Sequence, residues 1–245
     1  MLMGQPYPIS IIEVTLSEFG ERLDMAFDVR YMLDVLREII PYTPITLFLA
    51  IASMLLAGIL GLGIALIKQF QVPILKQVAT VYVSFFRSIP TIVELFLIYY
   101  GLPQIFPVFS KMEALSATIL GLSLKNAAYL SEIFRAGLLS VDDGQMEACI
   151  GVVISKVYAY QHIILPQAFQ NALPGMSNTF ISLIKESSLA FSLGLVDLFA
   201  QAKLIASDSF RFFEAYLAVA IIFWFLVVIL TLLQQRLEAY MQRYR

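Results

Sequence analysis

Apolar stretches of membrane-spanning length alternate with short polar ones along most of this chain. Residues 39–67 carry no charge, more than the ~20 residues that a helix needs to cross a bilayer. Within them Ala57, Gly61 and Ala65 fall every fourth residue, a stripe of small side chains suited to close helix contact. Residues 80–101 form a second apolar segment, where Pro90 removes a backbone donor and is expected to kink a helix. A third runs from 114 to 139, purely apolar only in its first half. A fourth, about 166–190, contains Pro166, Pro174 and Gly175 and reads as one bent helix. A polar link over 196–214 leads to a fifth segment at 214–235. The pattern therefore predicts an all-α integral membrane domain over 39–236 with five spans.

Three polar regions interrupt or flank the spans. Residues 1–38 hold seven acids against three bases and form an acidic arm. In that arm Leu16, Phe19, Leu23 and Phe27 recur at helical spacing, which fits either a helix lying on the membrane surface or a disordered tail. Residues 237–245 are a short basic tail. Residues 141–162 are the most informative. Asp142-Asp143-Gly144 reads as a turn and helix N-cap, Met146 to Cys149 as one short helix, and Ser155 as the cap of a second piece ending near His162, with Pro166 closing the stretch. Two short helices in a polar loop suit docking of a soluble partner.

Composition agrees with the membrane reading. Hydrophobic residues make up 60% of the 245, charged residues only 14%, and the mean hydropathy is +0.82. A soluble domain averages nearer ~45–50% apolar. The net charge of -2 argues against a nucleic-acid partner. One cysteine, Cys149, excludes a disulfide framework, and one histidine, His162, leaves no partner for a metal site or a catalytic triad. No metal site and no catalytic residue are expected; Cys149 reads most simply as a small buried residue and His162 as an interfacial one. The acidic first 38 residues lack a basic segment followed by an apolar core, so no signal peptide is expected. Basic residues gather at Lys68, Lys76, Arg135, Lys156 and the C-terminal arginines. That bias places the N-terminus outside, the C-terminus inside and residues 141–162 in the cytoplasm.

Charges inside apolar segments are costly and mark functional candidates. Lys125, Tyr129 and Glu132 share one helix face, and Glu94 lies at comparable depth in the second span. Arg87, Glu94, Lys125, Asn126 and Tyr129 are candidates for a polar translocation path. Glu94 and Lys125 fit equally a neutralising ion pair between packed helices. Glu132 and Arg135, three residues apart, read as a structural pair. Lys185, Glu186 and Ser187 close the fourth span, either lining the path or capping the helix at the surface. No GxxxxGK[ST] loop occurs, so energy for active transport would have to come from a partner or an ion gradient.

Several ordered blocks resemble one family. Glu147-Ala148-Cys149, followed nineteen residues after Glu147 by Pro166 in Ile163-Ile164-Leu165-Pro166-Gln167-Ala168, is similar to the EAA loop of binding-protein-dependent ABC importer permeases. Phe86-Arg87-Ser88-Ile89-Pro90 with Glu94 to Pro103, Ser123 to Tyr129 with Glu132 to Arg135, and Phe180 to Leu189 resemble blocks of the polar amino acid permease subfamily. The resemblance covers roughly residues 40–236. It implies a type I ABC importer fold in the bacterial plasma (inner) membrane, crossing it several times. It also implies a second permease chain, identical or different, a cytoplasmic ABC ATPase dimer that binds ATP and Mg, and an extracytoplasmic solute-binding protein. This chain itself would be no enzyme and bind no cofactor. The solute implied is a polar amino acid, with cystine a candidate. Gly144, Glu147, Ala148, Cys149, Gly151, Val153 and Ser155 would form the coupling element that meets the ATPase.

Departures from the family pattern are specific. Val153 stands where the family usually has glycine, and a glycine occurs earlier, at Gly151, which leaves the turn between the coupling helices either at its usual place or shifted. Ser88 and Ile89 replace a usual glycine and threonine. Glu94 replaces a commoner glutamine and Lys125 a commoner uncharged polar residue, and these opposite changes suggest a compensating pair. An ion-coupled secondary transporter or a channel subunit is the alternative reading, and an intramembrane enzyme is remote.

Overall fold

A computed structural model describes residues 27–242. Leu16, Phe19 and Leu23 of the acidic arm, and Arg243 and Arg245 of the tail, lie outside them. The described residues are almost entirely helical. Helix α1 (Val29–Ile39) is capped by Asp28, whose side chain accepts the backbone N–H groups of Arg30 and Tyr31. A short 3-10 turn joins it to α2 (Thr43–Gln69). The helical run Val29–Gln69 has 41 residues, or ~62 Å at 1.5 Å per residue. That is about twice a hydrocarbon core of ~30 Å, so a run of this length is more than one upright crossing needs.

The second apolar segment is broken outright rather than kinked. Helix α3 (Leu75–Ser88) and helix α4 (Thr91–Phe96) meet at Ile89 and Pro90, both extended. Proline disfavours the helical conformation in the residue before it and lacks the N–H to continue the ladder. The bend is 111°. A π-helical turn at Leu97–Gly101 leads into α5 (Leu102–Ile105).

Helix α6 (Ala114–Leu139) is the central element, packed along α2 and touching α3, α4 and the fourth segment. Its 26 residues span ~39 Å. Small residues let it approach its neighbours closely. Ala57 and Ala65 of α2 are fully buried with Ala127 and Leu130 of α6, and a side chain at Gly61 would meet Leu130 Cβ at 2.9 Å. The small-residue stripe is thus the contact face of α2. Ser123 Oγ adds a hydrogen bond across the contact to Ser53 O at 3.3 Å.

After α7 (Asp143–Gly151) and α8 (Lys156–Ala159), the chain does not stop near His162 as the sequence suggested. A π-helical turn at Tyr160–Ile164 carries α8 directly into α9 (Leu165–Glu186). The wider turn sits where Pro166 would otherwise clash with the carbonyl four residues earlier. Helix α9 also continues through Pro174, and its 53° bend comes later, before α10 (Leu198–Ser209). The region expected to be a polar link is therefore a helix, with Leu198, Ala202 and Ala206 buried against α1 and the start of α11 (Phe212–Gln242). Asp28, Glu214 and Tyr31 surround the Arg211 guanidinium there, with ion pairs at 3.6 Å to Asp28 and 3.4 Å to Glu214.

Val29–Gln69 and Phe212–Met241 are each long and apolar enough to cross a membrane. The pairs α3 with α4–α5 and α8–α9 with α10 would make four if each counts as one bent span. Helix α6, the third of the segments read from sequence, carries Lys125, Glu132 and Arg135.

Candidate functional site: a polar cavity and a capped loop

The polar candidates converge where α4, α6 and α9 meet. Thr91 and Glu94 lie three residues apart on α4, Lys125 and Asn126 on α6, and Glu186 at the end of α9. Lys125 Nζ donates to Thr91 Oγ1 and pairs with Glu186 Oε1 at 3.3 Å. Asn126 Nδ2 reaches Glu186 Oε2 at 3.5 Å and Leu122 O at 2.8 Å. The pair expected between Glu94 and Lys125 is therefore replaced by one between Lys125 and Glu186, on the next helix over. Glu94 is buried, and both of its carboxylate oxygens lack a hydrogen-bond partner among the described residues.

Beside the cluster is a cavity of 410 Å³ lined by Asn126, Tyr129 and Ile133 of α6 and by Gly175, Asn178, Thr179, Ser182 and Glu186 of α9. Asn178, Ser182 and Glu186 repeat every fourth residue, so they share a face of α9. Asn178 and Ser182, each unremarkable singly, join the candidate Glu186 only through this spacing. The Arg87 guanidinium lies 5.3 Å from the centre of the Tyr129 ring. Lys185 is exposed, and Ser187 is buried, donating to Ile184 O. Neither lines the cavity.

Glu132 pairs with Arg135 at 2.9 Å, as its spacing suggested, and also with Lys68 of α2, a partner that sequence spacing could not show. A double-mutant cycle separates this half-buried pair from the neighbouring acid. Lys125→Ala and Glu186→Ala are expected to couple by about 0.5–3 kcal/mol in detergent melting, and Lys125→Ala and Glu94→Ala by less. Stronger coupling to Glu94 would contradict the geometry.

The loop is built by local caps. Asp142 Oδ1 accepts Gly144 N at 2.8 Å and opens α7. Ser155 Oγ accepts Tyr158 N at 3.3 Å and opens α8. Between them, Ile154 N donates to Cys149 O at 2.9 Å and Val153 N to Ile150 O at 3.0 Å. This is a Schellman closure, and its left-handed residue is Val153, with φ of 61°. The turn is therefore not moved to Gly151, which lies inside α7 with open space around it. A β-branched residue in this conformation costs about 1–2 kcal/mol. Glu147 and Ala148 are exposed, and Cys149 is buried.

The loop is tied to the helices behind it. Leu138 and Val141, Ile164 and Ala168 form one buried cluster against which Leu66 and Met146 pack. The Phe70 and Tyr160 rings lie 5.5 Å apart. His162 stacks on Tyr158 at 4.0 Å. The cluster thus joins Met146 of α7 to the ends of α2, α6 and α9.

Residues 57–243 match the model of the family described as binding-protein-dependent transport system inner membrane component. The chain is 56% identical to the probable amino-acid permease protein YxeN of Bacillus subtilis (strain 168), over 88% of this chain and 96% of that protein. It is 37% identical to the L-cystine transport system permease protein TcyL of the same organism, over 84% of this chain and 88% of the relative. Among solved structures it resembles a chain of an amino acid ABC transporter crystallised with histidines, with a TM-score of 0.80 and 34% identity over 88% of this chain and 100% of the other. The chain belongs to the family of binding-protein-dependent transport system inner membrane components and is a permease subunit of an ABC importer.

Proposed function

We propose that the chain forms the membrane path of an ATP-driven importer for a polar amino acid, cystine among the candidates. In this reading it crosses the plasma membrane five times, N-terminus outside and C-terminus inside, and pairs with a second permease chain of the same or another kind. A solute-binding protein delivers the solute outside, and two ATPase subunits bind ATP and Mg in the cytoplasm. The observation that carries the reading is the cavity between α6 and α9, which sets the Glu186 carboxylate beside Lys125 and the amides of Asn126 and Asn178. An amino acid presents an ammonium and a carboxylate together, and groups of both signs suit it.

The loop at 142–162 is then the lever. Closure of the ATPases moves α7, and the packed contacts at Tyr160, Ile164 and Ala168 pass the movement to α6 and α9, whose faces line the cavity. Reconstitution in liposomes tests the energy source. Uptake of labelled amino acid is expected only with ATPase subunits, ATP and the binding protein, and unlabelled polar amino acids should compete. Uptake driven by an ion gradient without ATPase subunits would establish the secondary-transporter reading instead.

A further inference from the structure

The tip of the loop carries an apolar patch that the fold itself does not use. Val153 is 92% exposed, and Val152 and Val157 are each 68% exposed, with Ile150 at 52%. They surround a single turn between two short helices. Val153 holds the left-handed conformation there, and its two neighbouring hydrogen bonds run from backbone to backbone. A glycine or asparagine would make the same bonds at lower conformational cost. The valine side chain therefore strains the turn and packs on little in this chain, so what it contributes lies outside the chain. A bilayer does not suit the patch, because Asp142, Asp143 and Glu147 share its helix and cap and would be drawn into apolar surroundings. A protein surface suits it, with apolar residues at the centre and charges at the rim.

We propose that Val153 is an apolar anchor seated in the importer's ATPase subunit, and that its side chain, beyond the turn it occupies, slows release of that subunit. This rests on the reading of 142–162 as the ATPase-facing lever. Ile150, Val152 and Val157 widen the contact, and the Schellman closure aims Val153 outward.

The test uses the assembled permease–ATPase complex in nanodiscs, with Val153→Gly and Val153→Asn, both compatible with the left-handed turn. Both variants should melt at or above the parent's temperature, yet release the ATPase about tenfold faster, as loss of a central contact does, with uptake falling in step. Parental retention of the ATPase in either variant overturns the anchor. Glu147→Trp is run in parallel. If it loses stimulated ATP hydrolysis while the Val153 variants behave as the parent, only the anchor fails. If it too behaves as the parent, the lever reading fails with it.

Discussion

Gly137→Ala is expected to lower the melting temperature of the purified permease by about 6–12 °C and to abolish uptake. A Cβ at this position would stand 2.5 Å from Ala168 O and 3.1 Å from Ala172 Cβ. The first contact is with backbone inside α9, which cannot swing aside as a side chain can. In an exposed helix the same change would stabilise by roughly 1 kcal/mol. Here overpacking reverses the sign, at about 3 kcal/mol, and each kcal/mol moves the midpoint by ~2–4 °C in a chain of this size. The lost function follows from place: α6 and α9 meet at Gly137 and line the cavity further along. Gly151→Ala is the control. It sits in exposed helix with nothing within 4 Å, so its melting temperature should hold or rise. Equal losses in both would show that the α6–α9 contact is not the cause.

The features legible in the sequence are those set by local chemistry or by the bilayer. The charge-free run at 39–67 could be read because hydrocarbon tolerates so few charges. Asp142 and Ser155 could be read as caps because a cap bonds backbone only two or three residues on. The Ala57, Gly61 and Ala65 stripe shows its contact face directly. What escaped depends on how helices are turned toward one another. Lys125 pairs with Glu186 rather than Glu94 because α9, not α4, presents its acid to the ammonium, and spacing within either helix does not reveal this. The passage through Pro166 needed a π turn that no local propensity announces. Helix α10 is hidden in the sequence because its apolar residues, three of them alanines, are interspersed with polar ones and flanked or interrupted by Asp197, Lys203 and Asp208, which read as a link. The sequence does not decide the turn at Val153, because valine is a poor left-handed residue and Gly151, two residues earlier, a good one.

The second large effect belongs to Glu147. It is exposed at the middle of α7, two residues before the buried Cys149 that seats the helix. Its side chain makes no hydrogen bond or ion pair among the described residues, so a bulky replacement should leave the protein inserted and as stable as the parent. On an exposed helix face such a change is usually worth within ±0.5 kcal/mol. The same bulk at a docking surface blocks close approach of the partner and costs far more, through lost packing over the whole contact. The two quantities therefore separate folding from coupling.

The most direct measurement is solute-stimulated ATP hydrolysis by the complete complex in liposomes, parent against Glu147→Trp, with melting temperature recorded on the same preparations. The account predicts an unchanged melting temperature with stimulated hydrolysis and uptake both abolished. Stimulated hydrolysis and uptake at the parental level in that variant would contradict the claim that residues 142–162 transmit the ATPase's motion to the membrane path.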